Sequence, residues 1–202
     1  WYADALESRG NGRLIIYDPK TKTTRTVLSN LVFPNGVCTS YDGESVLFAE
    51  SWGCRINRYY FAGPKKGTLE RVIEGLPGYP DNINRASDGN YWLALMGSRT
   101  PALDLSLEMP GFRRRMARRV SQDAWLMPNL NTGCVLKFNE KGEILESYWD
   151  LGGTKHPMIT SMREHRGTLY LCGIFNNRMG AMKLPEADQS WCGVDTYWRK
   201  PA

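Results

Sequence analysis

The chain has 202 residues, 42% hydrophobic and 11% aromatic, which is enough apolar material for a packed core and excludes a disordered polyelectrolyte. Its net charge of +5 is modest and concentrated in one stretch with no groove-reading or single-strand-binding motif beside it, so no nucleic-acid partner is expected. No apolar run approaches the roughly 20 residues of a membrane span. Five cysteines without a C-x-x-C exclude a zinc ribbon or a thioredoxin-type motif.

Taken in chain order, the signals are almost all β. "GRLIIYD" (12–18) and "TRTVLS" (24–29) read as two strands. "FPNGV" (33–37) then opens a set of four, continued by "SVLFAES", "CRINRYYF" (54–61) and "ERVIEG" (70–75). The cycle restarts at "YPDNI" (79–83) and "NYWLALMG", and resumes after a gap with "GCVLKFN" (133–139) and "EILESYW" (143–149). A last set runs from "HPMIT" through "GTLYLCG" to "MGAMKLP" (179–185).

Gly43, Gly89 and Gly167 stand in equivalent places, each just before the second strand of a unit. The first interval is 46 residues and the second 78. The excess lies in residues 98–130, which carry no strand pattern. A period near 46 with four short strands per unit predicts β-propeller blades. A sandwich or a β-trefoil does not expect one inner-strand motif to recur in fixed register. The strand count amounts to about three to three and a half blades, so the sequence reads as the C-terminal part of a longer propeller, a single domain over 1–202 completed by upstream blades.

In such a fold the first strand of each blade lines the central channel. Asn35 and Asp81 then share one position, with Ile159 as counterpart, while Gly36, Asn82 and Thr160 form the next layer. A carboxamide oxygen and a carboxylate aimed at one axis suit a hard cation such as Ca²⁺ or another divalent ion of that kind. Softer metals would call for His or Cys, and neither occurs there. An Asn or Asp after proline is also ordinary turn chemistry, its side chain capping a backbone N–H, and the residues alone leave both readings open.

Other side chains carry weaker signals. His156, just before the last inner strand, could reach the channel mouth as a substrate contact or proton shuttle, whereas His165 reads as a turn residue. Cys38, Cys134 and Cys172 fall in strands, where buried free thiols are expected. No Gly-x-Ser-x-Gly elbow is present. The insertion holds "FRRRMARR" (112–119), with Phe112, Met116, Val120 and Ala124 near helical spacing. Residues 111–124 therefore read as a lid helix over the propeller mouth or, secondarily, as a basic amphipathic segment resting on an anionic membrane.

The stretch "LSNLVFPNGVCTSYDGESVLFAESWGCRINRYYFAGPKKGTLERVIEGLPGYPDNINRASDGNYWLAL", with "EHRGTLYL" further on, resembles the strictosidine synthase-like proteins, including the adipocyte plasma membrane-associated protein branch. The similarity runs from about Asn11 to Leu184. It implies a six-bladed propeller related to the gluconolactonase, regucalcin and paraoxonase folds. In those relatives an Asn and an Asp at the matching strand starts help hold a catalytic Ca²⁺, which carries over to Asn35 and Asp81, with Asn82 as helper. The implied activity is calcium-dependent hydrolysis of a small lactone or aryl ester, with Asp81 and His156 as catalytic candidates. The alternative is a non-catalytic binding or membrane-associated scaffold with a structural ion. Further metal ligands in those relatives lie upstream of anything in this sequence. Strictosidine synthase itself uses a glutamate where this chain has Thr160, so its condensation reaction is not expected.

Overall fold

The computed structural model describes residues 2–193. A short helix α1 (Tyr2–Glu7) leads into a two-stranded antiparallel sheet, β1 (Gly12–Asp18) and β2 (Thr23–Leu31). A four-stranded sheet follows in sequential order: β3 (Pro34–Thr39), β4 (Ser45–Glu50), β5 (Arg55–Tyr60) and β6 (Leu69–Ile73). The next begins with β7 (Gly78–Arg85) and β8 (Tyr91–Ser98). It is interrupted by helices α2 (Pro101–Leu107), α3 (Pro110–Arg119), α4 (Gln122–Trp125) and α5 (Met127–Leu130), and ends with β9 (Gly133–Phe138) and β10 (Ile144–Asp150). The last sheet contains β11 (Ile159–His165), β12 (Thr168–Gly173) and β13 (Gly180–Lys183). Antiparallel sheets of two, four, four and three strands, each meandering outward from its first strand, are the blades of a partial β-propeller. The sequence reading contained no counterpart of α1.

The repeat has a local cause. Gly43, Gly89 and Gly167 all adopt left-handed backbone, with φ of +73°, +85° and +65°, at the turn between first and second strands. Residues with a Cβ resist that conformation. In the first two turns an aspartate completes the geometry. Asp42 Oδ1 accepts the Glu44 N–H at 2.8 Å, and Asp88 Oδ1 accepts the Asn90 N–H at 3.1 Å.

The core lies between successive sheets. Leu31, Phe48 and Tyr59 are buried, with Leu14, Ile16 and Val27 packed half-buried against them, where β1–β2 meets the first complete blade. The largest cluster joins the two complete blades through residues such as Leu47, Ile56, Tyr91, Leu93 and Phe138. A third, with Trp92, Val135, Met162 and Leu169, joins the second complete blade to the last. Cys38 and Cys134 are buried in strands as expected, and burial pushes the Cys134 thiol up to about 12. Cys172, also expected buried, is exposed on β12.

Polar side chains set the blades against one another. Asn82 Nδ2 donates to the Thr160 carbonyl and Asn84 Nδ2 to the Met162 carbonyl, both at 2.8 Å and both across 78 residues, the spacing of the two units. Trp92 Nε1 donates at 2.7 Å to Oε2 of Glu164, a carboxylate only 1% exposed. Replacing Trp92 by Phe keeps an aromatic ring and leaves that carboxylate with the 3.3 Å bond from the Ser87 N–H, and we expect chemical denaturation to show a loss of about 1–3 kcal/mol.

The insertion leaves β8 at Ser98, which pairs with Gly78 at the start of β7. It therefore emerges on the propeller face where the inner strands begin. α2 is capped by Thr100, whose Oγ1 accepts the Leu103 N–H, and Pro101 fits its first turn. Leu103, Trp125, Leu126 and Leu130 are buried in the same cluster as Trp52, Tyr79 and Met96, so the segment covers the ends of the two complete blades. Gly97 permits this, because a Cβ there would stand 2.4 Å from the Asn129 carbonyl oxygen. The helical stripe read from the sequence holds only in part. Met116 packs on the core, but the helix stops at Arg119, and Val120 is extended and exposed.

Candidate metal centre

The three inner strands share an irregularity. Pairing slips between Pro34 and Val37 in β3, between Pro80 and Ile83 in β7, and between Ile159 and Ser161 in β11. The residues passed over are Asn35–Gly36, Asp81–Asn82 and Thr160. A bulge turns side chains out of the regular alternation, so the candidate residues occupy a level at which all three inner strands depart from their ladders, and β7 slips a second time between Gly78 and Pro80.

At this level β3 and β7 touch backbone to backbone. A Cβ on Gly36 would lie 2.3 Å from the Asp81 carbonyl oxygen and 2.5 Å from Asn82 Cα. The absent side chain brings Asn35 and Asp81 together. Asp81 is 5% exposed, and burial raises its carboxyl from 3.8 to about 7, offset only in part by a hydrogen bond from the Asn35 amide. Asn82 Nδ2 donates to Asp81 Oδ1 at 3.0 Å as well as to Thr160. Two amides thus converge on one buried carboxylate. The nearest cation along the strand is engaged elsewhere. Arg85 lies four residues, about 13 Å, beyond Asp81, where it donates to the Thr39 and Ser40 carbonyls and stacks its guanidinium 4.7 Å over Tyr41.

Ser51 is part of this group and was not anticipated. Its Oγ accepts from Asn35 Nδ2 at 3.2 Å and donates to the Pro80 carbonyl at 2.6 Å, so it bridges the two inner strands beside Asp81. Ser51 is itself fully buried, and its N–H is bound to the Phe33 carbonyl. The preceding Glu50 anchors the loop. Burial alone would raise its carboxyl, but hydrogen bonds from Arg55, the Val32 N–H and Asn57 hold it below the usual range. Trp52, next in sequence, packs tilted against Tyr79 with ring centroids 4.6 Å apart and forms an aromatic wall with Phe33. Nothing in the repeat marks Glu50 or Ser51, since Met96 and Gly97 stand in their places one blade later.

His156 does not join the group, contrary to expectation. It is buried, with its N–H on Asp150 Oδ2 at 2.7 Å, its carbonyl against Gly133 and its ring against Gly180. Those glycines belong to third strands, two strands and about 10 Å out from the inner edge. Its Nε2 has no hydrogen-bond partner. Ile159, the counterpart of Asn35 and Asp81, is buried and apolar. Among the described residues no three His, Cys, Asp or Glu side chains cluster as a metal cage. The side chains present are one carboxylate and two amides that turn their N–H groups toward it, so amide rotation would be needed to offer their oxygens to an ion. That set fits a hard cation and not a soft one.

Comparison with known proteins identifies the family and the fold. The Strictosidine synthase family model matches residues 1–64. The adipocyte plasma membrane-associated protein of Salmo salar is 34% identical over 170 residues, 82% of this chain and 41% of that protein. The strictosidine synthase-like 13 protein of Arabidopsis thaliana is 38% identical over 151 residues, 73% of this chain and 37% of that protein. The chain thus spans about two fifths of the length of these relatives. Among solved structures, a gluconolactonase from Xanthomonas campestris superposes with a TM-score of 0.54 at 12% identity, over 86% of this chain and 44% of its own. A calcium-binding regucalcin from Agrobacterium tumefaciens gives 0.52 at 15%, over 84% and 48%. These two likenesses establish the fold alone. With 34–38% identity over 73–82% of its length, the chain belongs to the strictosidine synthase-like family of β-propeller proteins.

Proposed function

We propose that this chain contributes to a divalent-cation-dependent hydrolase of small lactone or aryl-ester substrates, with Ca²⁺ as the ion. The observation that carries the reading is Asp81, a buried carboxylate with no cationic side chain to neutralise it among the described residues and two amides turned toward it. The fold is shared with a gluconolactonase and with a calcium-binding protein, which supports the same direction. Asn35 and Asp81 would hold the ion, and Asn82 would steady the carboxylate while tied to Thr160. When bound, such an ion supplies Lewis acidity toward a substrate carbonyl or water. Asn35, Asp81 and Ser51 set where that acidity is delivered, and the aromatic wall of Phe33 and Trp52 offers an apolar surface beside it.

A second reading is a non-catalytic propeller in which the ion is structural. It is favoured by the position of His156, which leaves no histidine hydrogen-bonded to Asp81 among the described residues. A panel of phenyl esters and lactones, assayed on the full-length protein with and without chelator, separates the two. Chelator-sensitive hydrolysis supports the enzyme. Calcium binding that raises the melting temperature without any turnover supports the scaffold.

Ser51→Ala tests how the site is built. It removes both bridging bonds without adding bulk. We expect calorimetric titration to show calcium affinity reduced by roughly 5–30-fold, equivalent to about 1–2 kcal/mol for hydrogen bonds that orient a ligand. Unchanged affinity would show that Ser51 serves only to join the blades.

A further inference from the structure

α3 is a helix without a core face, since none of its residues is buried. It forms a rod of about 15 Å, attached along one side. Met116 is partly buried against the core between the complete blades, and Arg113 donates to the Leu6 and Glu7 carbonyls of α1. The remaining arginines, Arg114, Arg115, Arg118 and Arg119, are all exposed. None forms an ion pair among the described residues, and α3 contains no acidic side chain. Arg114 and Arg118 stand one turn apart, as do Arg115 and Arg119, which gives a four-cornered cationic patch whose Arg114 corner borders the groove toward α1 while the other three turn away from Arg113.

Apolar side chains border the patch. Leu105 is 60% exposed, Met109 49%, Phe112 45% and Val120 41%, all within one sixteen-residue stretch. The groove between α1 and α3, about 640 Å³, is a poor receptor for a free anion, because Asp4 and Glu7 line it along with Arg9, Arg113 and Arg114. The outer face has no such opposition. A nucleic acid would engage the guanidiniums and leave the apolar border in water. A bilayer with anionic headgroups satisfies both, with phosphates and carboxylates on the arginines and the apolar side chains at the acyl boundary.

We propose that the outer face of α3, with its apolar border, docks on an anionic lipid surface. In this contact α3 lies along the surface with its arginines at the headgroups, and among the described residues no helix is long and apolar enough to cross a membrane. It orients the propeller with the face that carries Asn35 and Asp81 toward the membrane, because the insertion emerges on that face. The proposal does not depend on the cation site.

The test uses full-length protein and vesicles of phosphatidylcholine with or without phosphatidylserine. Wild type is expected to sediment with the anionic vesicles and not the neutral ones. The variant Arg114→Gln/Arg115→Gln/Arg118→Gln/Arg119→Gln should lower that partition at least about tenfold, as expected for several arginines near a charged surface. Its melting temperature should be unchanged, since no buried contact is lost. Met109→Ser/Phe112→Ser should remove the fraction that survives high salt, where charge attraction is screened. Equal partition to both vesicle types overturns the proposal, as does binding that persists in the quadruple arginine variant. So does a single-stranded oligonucleotide that displaces the protein from vesicles, or a salt-resistant fraction that Met109→Ser/Phe112→Ser leaves intact.

Discussion

Asp81→Asn is expected to abolish calcium binding and any hydrolysis together, while making the metal-free protein more stable above neutral pH. Burial holds this carboxyl near 7 in the folded chain against an ordinary value of 3.8. The folded state therefore binds the proton more tightly than the unfolded state. Stability from this group is fully present below about pH 4, declines as the pH rises toward 7, and is flat beyond. Each unit of the interval is worth about 1.4 kcal/mol at most, and the Asn35 amide reduces the penalty. Asparagine removes the dependence, so the variant should melt higher than wild type at pH 8 with chelator present and similarly at pH 4. Wild-type calcium affinity should rise with pH up to about 7, because proton and ion compete for one carboxylate, and then level off. Asp88→Asn is the control. It breaks a 2.6 Å ion pair with Lys137 away from the site and should leave calcium affinity unaltered. Titration calorimetry giving equal affinity for wild type and both variants would reduce Asp81 to a turn residue.

Gly36→Ala should be among the most damaging single-methyl additions in the chain. The backbone there shows no left-handed strain, so the penalty is purely steric. The atoms in the way are the carbonyl oxygen of Asp81, the Cα of Asn82 and the amide nitrogen of Ile83, none of which can rotate aside. The inner strands of two blades must separate. We expect a loss of about 3 kcal/mol or more, at the upper end for overpacking, together with weakened calcium binding as Asn35 moves away from Asp81. Gly43→Ala provides the contrast. Its Cβ would meet nothing within 4 Å, and its cost comes from a φ of +73° alone, about 1–2 kcal/mol. That variant should bind calcium normally. Denaturation and titration of the two proteins side by side distinguish the mechanisms.

What could be read in advance followed from repetition. The turn glycines recur because each hairpin needs left-handed backbone at the same point, and that recurrence placed Asn35 and Asp81 at one level before any coordinates. Ser51 and Glu50 escaped because they occur in one blade only, and a contact made once leaves no period. His156 was misjudged for a different reason. Three residues from Ile159 along the chain, it lies on a loop that runs beside third strands, and closeness in sequence does not specify the side of a sheet. The stripe from Phe112 to Ala124 failed at Val120, where an extended residue ends the helix. The burial of Asp81 was likewise illegible, since it arises from Gly36 on another strand and Ser51 in the turn after β4.

The bonds from Asn82 and Asn84 to the last blade have a consequence for what that blade can become. Both amides reach main-chain carbonyls, at Thr160 and Met162, and no side-chain atom of the receiving strand takes part. Every amino acid offers that same acceptor. The seam between these blades thus makes no demand on the chemical identity of residue 160, only on its size, since it is 8% exposed. A channel-lining position is therefore free to exchange its functional group while the architecture holding it stays bonded, so this strand can acquire new chemistry without first being rebuilt.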